Sequence, residues 1–343
     1  MKKKLLSLLL VAGLITGLAA CGNTNTETGG NASSTNPNTT NNLTEITFVL
    51  DWTPNTNHTG VYVADALGYF EEAGLSVTIV QPPEDGAEIM VGSGNAQFGV
   101  SFQDYLVPVF SQDTGLSIEV CATILQHNTS GILSRAGEGL DTPKGMEGKK
   151  YATWDLALEK ATIKQVVEAD GGDYSKVQLI PNTVTNEVAA LQSKQLDAIW
   201  VYYGWGGIAC EVVGVDTDYF AFADISPELD FYSPVIIGNG DWMKANPDTT
   251  KAFLNAVKKG YEYAIENPEA AADLLCEAVP ELSKDLVVAS QIWMADQYKA
   301  EVSQWGYVDA ARWNAFYQWV NDNQLSEHPV PLDTGFTNEY LPE

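Results

Sequence analysis

Short apolar runs recur along the first part of the chain, each closed by a polar loop. Glu45 to Leu50 predicts a first strand, and the loop Asp51-Trp-Thr-Pro-Asn-Thr-Asn-His-Thr-Gly60 follows it. Val61, Ala64, Leu67 and Phe70 then recur at helical spacing over 60–72, with Gly74 placed to end the helix. Leu75 to Val80 alternates as a second strand, and Gln81-Pro-Pro-Glu-Asp-Gly86 turns the chain. A short helix over 87–91 and the Gly92-Ser-Gly94 turn lead to a third strand, Ala96 to Ser101. That strand opens into Phe102-Gln-Asp-Tyr105, and Leu116 to Ile124 gives a further strand before Gln126-His-Asn-Thr-Ser-Gly131. Strand–helix alternation at this spacing predicts an α/β class with a parallel sheet and helices on its faces.

The pattern then restarts. Lys149 to Thr153 predicts a strand ending at Trp154-Asp155, followed by a helix from Leu156 to Ala169 that stops at Gly171-Gly172. Val177 to Pro181 is the next strand, Glu187 to Lys194 the next helix, and Leu196 to Val201 a strand that empties into Tyr202-Tyr203-Gly-Trp205. The passages beginning at Glu88 and at Glu187 share one form: short helix, tight turn, buried strand. Such a repeat fits two α/β lobes facing one cleft. Phe231 to Gly238 reads as the return crossing between them. Beyond it, helices start at Asn246-Pro-Asp248 and Asn267-Pro268, and two more cover 281–298 and 310–321. Their aromatic stripes, such as Trp313, Phe316 and Tyr317, read as the core of a C-terminal helical buttress.

The front end is of another kind. Lys2, Lys3 and Lys4 precede an apolar stretch from Leu5 to Leu18, which reads as a signal peptide ending in Leu18-Ala-Ala-Cys21. That ending resembles the bacterial lipobox, so residues 1–21 are expected to be processed with Cys21 lipidated and membrane-anchored. Residues 22–43 are nearly all Asn, Thr, Gly and Ser, the composition of a flexible tether. The formal charge of −27 argues against nucleic acid and against unassisted capture of a highly anionic ligand. With Cys21 set aside, Cys121, Cys210 and Cys276 sit in apolar or helical patterns, with no spacing that suggests a metal. No GxSxG or HExxH is present, so the chain reads as a binder of a small molecule and not as an enzyme, with no cofactor expected.

Candidate ligand contacts fall on the loops that follow strands. Trp52 offers a face for stacking or a lid over the core. Asn55 and His58 are suited to in-plane hydrogen bonds to a heteroaromatic ring, with capping of the next helix as the other reading for His58. Asp51 either faces ligand or holds its own loop. Ser101, Gln103 and Asp104 lie at the end of the third strand, and Gln126, His127 and Ser130 at the first crossing. In the second half Trp154 precedes a helix, and Asn186 and Glu187 stand at another helix start. Glu187 is either part of a helix cap or an acceptor for an exocyclic amine. Trp200, Tyr202, Tyr203 and Trp205 are expected to form an aromatic wall opposite Trp52, so that a planar ligand is sandwiched.

The segment Asp51-Trp-x-Pro-Asn-x-x-His-x-Gly60, with Tyr62, Gly68-Tyr-Phe70 and Gly74-Leu-x-Val77, resembles a known group. It is similar to the substrate-binding proteins of ABC importers in the branch shared with thiamine-pyrimidine precursor binding and pyrimidine synthesis. Val91 to Ser101 and Gln195-Leu-Asp197-Ala match further elements of that group. The resemblance spans essentially all of 45–325 and implies a two-lobed type II periplasmic-binding (Venus-flytrap) fold with parallel-rich sheets. It implies lobes at 44–130 with 236–343 and at 131–235, and a monomer that delivers its ligand to a membrane permease and its ATPase. Formylaminopyrimidine and hydroxymethylpyrimidine are the ligands it implies first, with riboflavin-like or other aromatic solutes next. A sulfonate carrier of the same fold is a further reading, and it would want a Lys or Arg at the cleft. The chain departs from the synthase members, which carry a cysteine-rich run where this sequence has Trp200 to Cys210 with a single Cys.

Overall fold

The computed structural model describes residues 43–342. Cys21, the signal segment and the tether to residue 42 lie outside the described residues. Among the described residues no helix is long and apolar enough to cross a membrane.

Two five-stranded sheets carry the fold. The first has the order β2-β1-β3-β10-β4, built from β1 (Thr44–Val49), β2 (Leu75–Val80), β3 (Phe98–Ser101), β4 (Ile118–Thr123) and β10 (Val235–Asn239). The second has the order β7-β6-β8-β5-β9, from β5 (Ser130–Arg135), β6 (Lys150–Thr153), β7 (Gln178–Pro181), β8 (Ala198–Tyr202) and β9 (Thr217–Ala221). In both, the strand in second position, β1 or β6, is parallel to its two neighbours, and the fourth position is filled by a strand running the other way. The sheets are therefore mixed. β10 is the anticipated return crossing, but β5 and β9 were not anticipated. Ser130 to Arg135 is buried on both faces, so it lacks the alternation that marks a half-buried strand.

Helices fill the connections and the C-terminal end. They are α1 (Thr59–Ala66), α2 (Tyr69–Glu72), α3 (Ala87–Gly92), α4 (Val107–Ser111), α5 (Ala157–Ala169), α6 (Glu187–Gln192), α7 (Ile208–Val212), α8 (Phe222–Ile225) and α9 (Gly240–Ala245), followed by the longer α10 (Pro247–Glu266), α11 (Pro268–Ala278), α12 (Lys284–Ala295) and α13 (Ala310–Asp322). The helix expected over 60–72 breaks at Gly68, whose φ of 75° ends α1 and starts α2. Phe98 stacks on Phe253 of α10 with centroids 4.1 Å apart, which fastens the buttress to the first sheet. Trp313, Phe316 and Tyr317 of α13 are fully buried, as their helical spacing predicts.

α10 also fixes α1, the helix that follows the first loop. The two backbones meet at Gly60 and Gly260, where a methyl built on Gly260 lies 1.9 Å from the Gly60 carbonyl oxygen. A methyl on Gly60 would lie 2.3 Å from the Tyr261 ring. Neither glycine serves a special turn; each allows a close approach. Gly260→Ala is expected to cost about 2 kcal/mol of stability by pushing the helices apart. Urea unfolding checks it: the midpoint should fall while the slope stays unchanged.

Candidate functional site

A cavity of about 390 Å³ opens where the parallel strands of both sheets end. From the first sheet come Asp51, Trp52 and Asn55 after β1, and Phe102 and Tyr105 after β3. From the second come Trp154 after β6, Glu187 at the start of α6, and Tyr202 and Trp205 at the end of β8. The ends of parallel strands, beside helix starts, are the usual ligand position in α/β sheets.

The first loop is held rigid from within. The backbone N–H of Asn55 donates to His58 Nδ1 at 3.1 Å, which places the ring proton on Nε2. Nε2 then donates to Asp51 Oδ1 at 2.6 Å. His58 is fully buried and does not reach the cavity, so the expectation that it contacts ligand is corrected: it braces Asp51. Asn55 lines the cavity, but its Oδ1 accepts from the Asn57 N–H and its Nδ2 donates to the Thr53 carbonyl. Two tyrosines hold the same loop from behind. Tyr261 and Tyr298 donate to the carbonyls of Asn57 and Thr56, each at 2.6 Å. Trp52 is left free to face ligand, at 47% exposure.

At the end of β3 the polar side chains turn inward and the aromatic ones face the cavity. Ser101 is buried and donates to Glu88, away from the site. Gln103 is fully buried; its Oε1 accepts from the Tyr232 N–H and its Nε2 donates to the Trp313 carbonyl, tying β3 to the return crossing and α13. Asp104 does not line the cavity either. Its Oδ1 is buried without a hydrogen-bond partner, and burial pushes its pKa up to about 7. These three residues are corrected from ligand contacts to scaffold. Phe102 and Tyr105, which sequence reasoning passed over, take their place. The signal was present: they stand at the same strand end, and a ring tolerates a cavity wall where a carboxylate would be stranded. Burial, with the charges of Asp104, Glu88 and Asp51, pushes the Tyr105 phenol up to about 12. The first-sheet wall is thus a negative environment.

His127 is also displaced from the site. Its Nδ1 meets Asp230 at 2.7 Å and its Nε2 meets Glu301 at 2.8 Å, and its pKa is raised chiefly by the Asp230 hydrogen bond. Arg312 closes this cluster 3.7 Å from Asp230 and 3.6 Å from Glu301. It joins the two crossings to α13 but lies off the cavity lining. Gln126 and Ser130 are buried and bonded internally.

In the second sheet, Glu187 lines the cavity and Asn186 does not. Asn186 caps α6, accepting from the Ala189 N–H at 2.8 Å. Burial raises the Glu187 pKa, opposed by a hydrogen bond from its own backbone N–H, and no other residue among the described ones pairs with its carboxylate. It lies so close to the Gly206 backbone that a methyl there would come within 3.1 Å of its Cγ. Trp200 is mostly core, with only an edge on the cavity, and packs 5.5 Å from Trp154 and 4.3 Å from Phe222. Tyr202 lies nearly parallel to Phe102 with centroids 5.7 Å apart, so one aromatic contact joins the two sheets across the cavity edge. Tyr203 points the other way, against Tyr219 and Trp293, and donates to Glu211. Its place in the expected wall is corrected: Tyr203 opens the turn after β8, and its ring packs on Tyr219 and Trp293 instead of lining the cavity.

Asp51 and Glu187 are the charged residues of the lining, and it contains no Lys or Arg. Arg135, at the end of β5, is engaged by Glu138 and Asp197. The arrangement suits a flat ligand that donates hydrogen bonds and carries no negative charge.

The formylaminopyrimidine-binding protein of Halalkalibacterium halodurans is 29% identical over 305 residues, covering 86% of this chain and 90% of that one. A 4-amino-5-hydroxymethyl-2-methylpyrimidine phosphate synthase of Saccharomyces cerevisiae is 24% identical over 317 residues, covering 87% and 88%. In fold, the chain is similar to the periplasmic aliphatic sulphonate binding protein of Escherichia coli, with a TM-score of 0.64 over 84% of this chain and 95% of that one, at 13% identity. That likeness is one of fold, the two-sheet type II periplasmic-binding architecture. The sequence profile described as NMT1/THI5 like matches residues 55–271, more than half of the chain, and the protein belongs to that family.

Proposed function

We propose that this protein is the extracytoplasmic solute-binding component of an ABC importer and captures a flat, donor-bearing heteroaromatic metabolite, formylaminopyrimidine or hydroxymethylpyrimidine first among them. The observation that carries this is the pairing of aromatic walls from two sheets with two carboxylates in one cavity that no cation lines. Trp52, Trp205 and Tyr202 supply ring faces. Glu187, desolvated and bonded among the described residues only by its own backbone N–H, accepts from an exocyclic amine. The likeness to the formylaminopyrimidine-binding protein supports the same ligand class. Residues 44–130 with 236–343 act as one lobe and 131–235 as the other, closing on the ligand. Cys21 anchors the chain through lipid, the tether reaches from it, and the monomer docks on a permease driven by an ATPase.

We read the chain as a binder and not as a synthase. The Asp51–His58 pair has the look of a catalytic dyad, but its imidazole is fully buried and pinned at both nitrogens by its own loop. Calorimetric titration tests the proposal. Formylaminopyrimidine should bind at one site without turnover, and taurine should not compete. Trp52→Ala should raise Kd about tenfold through loss of stacking. The ligand-free melting temperature should hold, since Trp52 is half exposed. Binding of taurine with no response to either pyrimidine would overturn the reading in favour of a sulfonate carrier.

A further inference from the structure

We propose that Ser290, a residue of α12 outside the cavity, sets the gap between the two cavity walls by holding both with one hydroxyl. Ser290 is fully buried, and it does not line the cavity. Its Oγ donates to the carbonyl of Gly204, in the turn that carries Tyr202 and Trp205. Having spent its one proton there, the same oxygen accepts from Thr56 Oγ1 at 2.6 Å. Thr56 adjoins Asn55 in the first loop, and its carbonyl is itself held by Tyr298. The relay runs Thr56 O–H to Ser290 O–H to Gly204 C=O. One wall sits at each end.

The surroundings of Ser290 keep that distance. Tyr203 packs 5.5 Å from Trp293, and Trp205 rests on the cluster of Ala272, Leu275, Val279 and Val287 from α11, α12 and the loop between them. A methyl built on Gly204 would lie 2.5 Å from Met294 Sδ and 2.9 Å from the Trp293 ring. In this arrangement of the two proposed lobes the second-sheet turn is thus seated closely on α12. Loss of the Ser290 oxygen leaves a buried hydroxyl and a buried carbonyl without partners on opposite walls. Ser290 is therefore a positioning residue: it acts on ligand only through the spacing of groups that touch it.

Hydrogen–deuterium exchange on the ligand-free full chain tests this. Ser290→Ala should speed exchange in 55–58 and in 203–207 together, while the β1 and β8 strands stay slow. Thr56→Val, which removes only the first link, should loosen 55–58 alone. A change confined to one segment in Ser290→Ala, or to neither, would overturn the proposal. Should Ser290→Ala fail to fold, Gly204→Ala serves in its place. Its added methyl wedges the turn off α12, and it should raise the Kd for formylaminopyrimidine about tenfold. Unchanged affinity in Gly204→Ala would equally overturn it. The affinity arm rests on the reading of the site as a pyrimidine-binding cleft. The exchange arm does not, so a chain that ignores pyrimidines refutes that reading and leaves the relay to be judged by exchange.

Discussion

Asp104→Asn is expected to stabilise the protein at pH 8 by on the order of 3 kcal/mol and to change little at pH 4. The reason is a carboxyl whose desolvation outweighs the support that the backbone N–H groups of Asp104 and Tyr105 give its charge. Oδ1 of Asp104 is buried without a hydrogen-bond partner, and burial lifts the group from its ordinary value of 3.8 to about 7. Below pH 3.8 both folded and unfolded chains hold the proton, and the group contributes no pH dependence. Between 3.8 and about 7 the unfolded chain releases the proton while the folded one keeps it, so stability falls as pH rises. Above about 7 the full penalty is present, because the folded protein carries a buried carboxylate. An asparagine has the same shape and no charge to desolvate. Denaturant unfolding at several pH values measures it: the two proteins should match at pH 4 and diverge towards pH 8. Parallel curves across that range would mean that the backbone N–H groups of Asp104 and Tyr105, with water, fully offset the desolvation of the carboxylate.

The placement of Asp104 also shows what the sequence could and could not reveal. The strand ends were legible, because β1, β3, β6 and β8 are buried runs bounded by polar loops. Both walls of the cavity follow from those ends, and Trp52, Glu187, Tyr202 and Trp205 lie where the pattern puts them. Which side chain of a strand-end loop faces the cavity was not legible. Ser101, Gln103 and His58 carry suitable chemistry, but it is consumed elsewhere: by its own loop for His58, and by the tertiary partners Glu88, Tyr232 and Trp313 for the other two. No local pattern announces such partners. Tyr203 stands just past the end of β8, where the helical turn over 203–207 carries its ring onto Trp293 and away from the face that Tyr202 occupies. Polar type at a strand end marks the neighbourhood of a site; the fold's remaining hydrogen-bond demands decide which residue serves ligand.

Glu187 is where those demands leave a group over. Glu187→Ala is expected to raise the Kd for formylaminopyrimidine about a hundredfold, the cost of withdrawing an ionised acceptor from a desolvated donor. Asp51 is committed to His58, and Asn55 is committed to its own turn, so neither replaces the lost bond. Folding should change little, because among the described residues the Glu187 carboxylate bonds only its own backbone N–H, and Asn186 caps the helix behind it. Burial raises the Glu187 pKa, so its carboxylate takes a proton at a less acidic pH than an ordinary glutamate. The advantage of the wild type over Glu187→Gln should therefore shrink as pH falls into the mildly acidic range, and remain at neutral pH and above. Titration calorimetry of the two proteins across that range gives the comparison. A constant ratio of affinities would place the recognised amine at Asp51 instead, against the geometry that holds Asp51 on His58.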